Sequence, residues 1–239
     1  MKKLTVLEIV QDILNDFTSD EVNSINDTLE AMQVAQAVQT TYAHIIDGRD
    51  WPHLYKLFQI TGWADEDFPT YCTIPENTVE VLWLKYDKKK VTYKTPEEFM
   101  ELVDVRDPTE TNVTTITDSS GIDIYVLNNQ APTYWTSFDE KTIVFDAFDS
   151  DVEDTIMTSK TQAYGKILPV FTLADSFVPD LPAQAFSYLL AESKAHAATV
   201  LQQAPNPKAQ EYSITQRRRM SQEAWKVQGG ITVPSYGRK

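Results

Sequence analysis

Cysteine is almost missing from this chain. Cys72 is the only one in 239 residues, so no intramolecular disulfide can hold the fold, and a reducing compartment suits it. Glycine is scarce as well, at 7, and none builds a Gly-rich phosphate loop. No run approaches the roughly 20 apolar residues of a membrane span. Met1-Lys2-Lys3 begins like a signal n-region, but Glu8, Gln11 and Asp12 interrupt the apolar run and no small-residue cleavage site follows. The expectation is a soluble protein made and used without export, in which Asn26-Asp27-Thr28 and Asn112-Val113-Thr114 are empty matches to a glycan acceptor. Basic residues are outnumbered, 21 against 35, for a net charge of −14, which argues against generic binding to nucleic acid.

What is present suffices for a core: 42% hydrophobic and 11% aromatic residues exclude global disorder. The charge is unevenly placed. Residues 1–204 carry 14 Lys+Arg against 33 Asp+Glu, whereas the last 35 residues carry 7 against 2, with Arg217-Arg218-Arg219 in one run. A cationic end on an anionic body suits a part that docks onto surfaces of opposite sign.

Hydrophobic periodicity orders the chain. Val6, Leu7, Ile9, Val10, Ile13, Leu14 and Phe17 share one side of a first helix. Ser24 reads as the N-cap of a second helix running to Asp47, with Ile25, Leu29, Met32, Gln36, Gln39, Ala43 and Ile46 as its main stripe. Past Trp51 the period becomes that of strands: Leu54 to Thr61, Val79 to Tyr86, Val91 to Lys94, Ile122 to Leu127, Tyr134 to Phe138, Thr142 to Phe145, Val152 to Thr158 and Lys166 to Thr172. Asp87 to Lys90 reads as a solvated hairpin tip, and Asp104 to Gly121 as a long loop. Thr95-Pro96-Glu97-Glu98 starts a short helix. Helical period returns after Pro182, with Phe186, Leu189, Leu190, Ser193, Ala197, Val200 and Leu201 on one face, and a last helix is expected over Lys208 to Gln228. The order predicts an α+β fold: a helical bundle from residues 1–51 and 179–228, an inserted, mostly antiparallel β-rich domain over 52–178, and a C-terminal docking tail over 229–239.

Catalytic and metal chemistry find no footing. His44, His53 and His196 lack a metal-ligand spacing. Asp146, Asp149, Asp151 and Asp154 lack the glycine and closing glutamate of a calcium loop, so a solvated acidic loop is expected, as for Asp65-Glu66-Asp67. No nucleophile elbow or Cys–His signature is present. The expectation is no enzyme, no cofactor and no metal.

The last helix carries the interface candidates. Ala209, Tyr212, Met220, Ala224 and Val227 fall on one side; Ile214 and Trp225, with Arg218 between them, lie roughly 160° away. Apolar groups on two nearly opposite sides are more than one domain surface covers, and Trp and Arg are frequent interface anchors. Arg217, Arg218 and Arg219 fan around the helix and suit an acidic protein surface better than DNA. After Gly229-Gly230, Ile231, Val233, Tyr236, Arg238 and Lys239 supply apolar and cationic contacts for a docking tail.

Three stretches carry a resemblance: Leu4 to Leu14 with Val22-Asn23-Ser24-Ile25 and a long helix ending at Trp51; Pro132-Thr133-Tyr134-Trp135 followed by Asp139-Glu140-Lys141-Thr142-Ile143-Val144-Phe145-Asp146; and Asp180-Leu181-Pro182 opening an alanine-rich helix. Together these resemble the head-to-tail connector adaptors of short-tailed bacteriophages, the tail tubular protein A-like family. Asp50 and Ala147-Phe148 stand where that family often has glycine and prolines. The resemblance implies a virion protein of the neck, assembled in the host bacterial cytoplasm. It would form a homo-oligomeric ring, usually a dodecamer, between the portal protein and a tail nozzle or tail tubular protein B-like protein, with DNA passing through the lumen without specific binding. An acidic wall suits that passage, since like charges repel. A non-viral scaffolding or interaction protein without catalysis remains the alternative.

Overall fold

The computed structural model describes residues 2–17, 21–48, 50–139, 141–202 and 206–224. The chain is α+β and divides into two compact units, one from Met1–Leu54 with Pro169–Lys239 and one from Tyr55–Leu168.

Among the described residues the first unit holds four α-helices: α1 (Val6–Phe17), α2 (Leu29–Asp47), α4 (Phe186–Gln202) and α5 (Pro207–Ala224). α2 packs on α4, α4 on α5, and α1 on both α2 and α4. α1 buries Val6, Ile9, Val10, Ile13 and Leu14 as its period requires. α2 departs from expectation. Its N-cap is Thr28, whose hydroxyl accepts from the Ala31 amide, because Asp27 is already turned back to accept from the Asn23 and Ser24 amides at 2.7 and 2.8 Å. The buried side is Ala31, Val34, Ala35, Val38, Tyr42, Ile45 and Ile46, while Leu29, Met32, Gln36 and Ala43 of the expected stripe are exposed and Gln39 is half-buried. Small residues share the inward sides: Ala31 and Ala35 of α2 and Ala191, Ala195 and Ala198 of α4 are all buried, α2 packs on α4, and alanine permits close approach. The Trp51 indole donates to the Ile45 carbonyl at 2.6 Å, closing the end of α2.

The segment after Pro169, expected to finish the β block, belongs to the helical unit. Its Phe177 and Asp175 carbonyls accept from the Val6 and Leu7 amides that start α1, at 2.9 and 3.3 Å. The Asp175 carboxylate accepts from the Ile25 amide at 2.8 Å.

The second unit is an eight-stranded sheet in the order β1 (Tyr55–Phe58), β10 (Thr161–Ile167), β4 (Thr78–Tyr86), β5 (Lys89–Tyr93), β8 (Tyr134–Thr136), β9 (Thr142–Phe145), β3 (Tyr71–Thr73), β2 (Thr61–Gly62). The pairings are antiparallel except β5 with β8. The two outermost strands are consecutive in the chain. Only Gln59 and Ile60 separate them, so the sheet ends cannot be more than about 11 Å apart and the sheet must curl into a barrel. Thr161, fully buried, pins that seam: its hydroxyl accepts from the Ile60 amide at 2.9 Å and lies 3.0 Å from the Ile60 carbonyl. Inside lie Ile60, Leu84, Val91, Ile143, Phe145 and Ala163 among others. α3 (Pro96–Asp104), capped by Thr95 as expected, and the hairpin of β6 (Val113–Thr117) with β7 (Asp123–Leu127) bring Phe99, Val103, Ile116, Ile124 and Val126 to the same core.

Four expectations for the β block need correction. β6 lies inside the expected loop. Val152 to Thr158 forms no strand; Val152 is 58% exposed and only Ile156 reaches the core. The last strand is β10, which ends before Pro169, since proline cannot donate to a ladder. The tip between β4 and β5 is only Asp87-Lys88, with φ of 43° and 66°, the tight turn suited to a two-residue hairpin; Lys89 and Lys90 belong to β5.

Candidate interface surfaces

The carboxylates expected in an acidic loop separate. Asp146 at the end of β9 is buried and pairs with Arg106 at 3.1 Å. The same guanidinium donates to the Asp146 and Tyr125 carbonyls at 2.7 and 2.9 Å, and the second carboxylate oxygen accepts from the Thr133 and Tyr134 amides. Every charged group there is answered by a partner, which is what a buried ion needs to persist. Asp146 thus ties α3, β7, β8 and β9 together, and Asp151 and Asp154 stay exposed. Among the described residues no three His, Cys, Asp or Glu gather to hold a metal ion. His44 and His196, far apart in sequence, line one cavity of about 350 Å³ with Glu192, where His196 Nδ1 lies 3.3 Å from the Thr41 hydroxyl. Cys72 is fully buried; burial pushes its thiol up to about 12, so it is no thiolate nucleophile at neutral pH.

α5 packs through one of its two expected sides. Its inward stripe is Ala209, Ser213 and Gln216, of which Ser213 is buried and donates to the Glu192 carboxylate of α4. Tyr212 edges that stripe and is 51% exposed, while Ile214 lies on the other side and is 52% exposed, so the expected side that holds Ala209 is the packed one and the expected Ile214 side faces outward. Small polar residues take the contact because α4 offers Glu192 and Ser187 there, the latter 3.4 Å from the Gln216 side chain. Ile214 and Arg218, one helical turn apart, both point outward. Arg217 is exposed too, yet lines a cavity of about 240 Å³ with Trp51, Tyr188 and Glu192, where burial raises the Tyr188 phenol. The Arg219 side chain and Trp225, Ile231, Val233, Tyr236, Arg238 and Lys239 lie outside the described residues.

Two faces of the barrel escaped the sequence reading. On its outer wall Tyr55, Tyr164 and Trp83 form a row across β1, β10 and β4, with ring centroids 6.2 and 5.9 Å apart. The Lys85 ammonium sits 5.1 Å above Trp83, a cation–π contact, and Leu57 beside Tyr164 is 72% exposed. Elsewhere, Trp63 is 43% exposed and packs on Phe68 and Tyr71 at 5.6 and 5.1 Å, next to the exposed turn Asp65-Glu66-Asp67. The signal for the first face was strand alternation, legible only once β4, β10 and β1 are known to be neighbours.

No protein-family model matches the chain, and no curated protein matches it. The chemistry offered by the described residues is that of contact surfaces: exposed aromatic and branched side chains beside charge.

Proposed function

We propose that this chain is a non-catalytic structural protein of a short-tailed phage virion, a ring-forming adaptor between the portal and the tail nozzle, with DNA passing through its lumen. The observation that carries this reading is the outward placement of Tyr212 and Ile214 on α5, beside exposed Arg217 and Arg218. A helix that packs through serine and glutamine while holding Tyr212 and Ile214 outside is suited to burying them against another chain. The order of the resembling segments supports the same reading. So does the acidic balance of the body, which disfavours phosphate binding in a channel. In this reading the four helices act as a bundle, α5 with Trp225 meets a neighbouring subunit, and Ile231, Val233, Tyr236, Arg238 and Lys239 dock on the portal or that neighbour. A scaffolding protein of other origin would share such surfaces but would form no closed ring.

Negative-stain microscopy of the purified chain, alone and with the portal protein from the same genome, tests the proposal. Rings in either sample support it; dispersed monomers in both sink it. Deleting residues 230–239 should abolish portal attachment with the subunit still folded, and unchanged attachment removes the tail from the proposal.

A further inference from the structure

On the outer wall of the barrel, Lys85 and Lys90 have no carboxylate partner among the described residues. The two are direct cross-strand partners, and like charges placed opposite each other cost stability. Lys88 and Lys89 extend the cluster, and Lys160 joins it because its carbonyl accepts from the Asp87 amide at 3.0 Å. This basic tip continues into the row Trp83, Tyr164 and Tyr55 and the exposed Leu57. Within a chain of net charge −14, it is a concentrated exception.

The opposite problem sits elsewhere on the same barrel. Asp65, Glu66 and Asp67 are all exposed on the turn between β2 and β3, and none pairs with a cation among the described residues. Trp63 stands beside them, half out of its packing on Phe68 and Tyr71. In the strand order β3 is four positions from β4, so around a closed barrel of eight strands the acidic turn and the lysine wall lie on roughly opposite sides.

We infer that these are the two halves of one head-to-tail contact, in which the wall of Lys85, Lys90, Trp83 and Leu57 on one copy of this chain receives the Asp65–Asp67 turn and Trp63 of the next. The inference rests on the ring reading and assigns it a lateral surface. A second copy is the occupant that satisfies both faces at once: each is uncompensated, they are opposite in sign, and each adds an aromatic anchor to the charge. Because the two faces differ and lie on opposite sides, the contact is heterologous, the kind that propagates to a ring when the rotation closes. A nucleic-acid strand could stack on Trp83 and Tyr164, but it would leave the acidic turn unanswered and would meet the net negative charge of the whole chain.

Charge reversal on the full-length protein decides the matter. Sedimentation velocity at physiological salt should show Lys85→Glu/Lys90→Glu and, separately, Asp65→Lys/Asp67→Lys needing at least about tenfold higher concentration to assemble, about 1.4 kcal/mol per contact. Combining both pairs in one chain should restore assembly, because the contact is rebuilt with its signs exchanged. That rescue also shows that the single-face variants fold. If both single-face variants assemble like the wild type, or the combined variant stays as dispersed as its parents, the assignment is overturned. Rings that persist in those variants leave the ring reading intact with another lateral surface, whereas a wild type that never forms rings, even with portal, removes both. Fluorescence anisotropy with a 30-nucleotide single strand adds the other occupant: tight binding lost in Lys85→Glu/Lys90→Glu also overturns the inference.

Discussion

The helical and barrel units are held together by different means. The barrel core is built from large side chains, Phe99, Phe145, Ile60, Leu84, Ile116, Ile124 and Ile143, all fully buried, around one buried ion pair. The helical unit buries Ile9, Ile13, Leu14, Leu54 and Phe186 as well, but its long helices add a series of buried alanines, Ala31, Ala35, Ala191, Ala197 and Ala198, and α5 is held partly by a serine hydroxyl. A core of large groups with one charged knot is most sensitive to losing a partner. Helix surfaces that bury alanine are most sensitive to added volume.

The sharpest break is therefore at the knot. Arg106→Ala leaves the buried Asp146 carboxylate without its cation and frees the Asp146 and Tyr125 carbonyls. Removing one member of a buried pair costs about 3–5 kcal/mol, and urea unfolding followed by tryptophan fluorescence should show that loss. A change below about 1 kcal/mol would mean that the pair is not a determinant of the barrel.

In the helical unit the matching experiment adds atoms. Ala198 on α4 is 1% exposed, and Ala198→Leu should destabilise by about 1–3 kcal/mol through overpacking. The exposed Ala43 of α2 is the control, where the same substitution should stay within about 0.5 kcal/mol. If Ala198 tolerates leucine as well as Ala43 does, close helix approach is not what orders this unit.

A milder comparison uses the two threonine caps, one per unit. Thr28 accepts from the Ala31 amide at 3.1 Å and Thr95 from the Glu98 amide at 3.3 Å. Thr28→Ala and Thr95→Ala should each cost about 1 kcal/mol, measurable as a lower urea midpoint. Equal losses would show that the local signal counts alike in both units; no loss at either site would refute the capping role there.

The Thr95 cap was legible from sequence because its determinants lie within four residues. The Thr28 cap was not, since Ser24 and Asp27 made an equally good local pattern and Asp27 is spent on the turn before the helix. The α+β order and most strands were legible from the change in hydrophobic period. β6 was hidden because Thr114, Thr115 and Thr117 read as polar, although β-branched threonines suit a strand. The inward side of α2 was misplaced because periodicity favours large residues, whereas the buried side carries Ala31 and Ala35 among Val34, Val38 and Tyr42. Asp146 read as solvated because Arg106, its partner, lies 40 residues away. At the candidate surfaces, the outward Ile214 and Arg218 followed from helical spacing. The barrel faces required strand neighbours that no local window contains.

The smallest expected effect lies at the ion cluster where α1 meets α4. Lys194 reaches Asp16 at 2.7 Å and Asp12 at 3.0 Å. Burial alone would lower its ammonium, but the hydrogen bonds and charges of Asp16 and Asp12 outweigh that and raise it above the ordinary lysine value. The carboxylates are 49% and 56% exposed, so solvent screens much of the attraction, and Lys194→Met should cost only about 0.2–1 kcal/mol. The sign of its pH dependence is fixed by the direction of the shift. A lysine raised in the folded state contributes fully while pH stays below the unfolded value of about 10.4 and loses that contribution as pH climbs through the higher folded value. The stability gap between wild type and Lys194→Met should thus be constant from neutral pH to about pH 9 and shrink at more alkaline pH. A gap that stays flat through the alkaline range would show that the pairing of Lys194 with Asp12 and Asp16 contributes nothing measurable to folding.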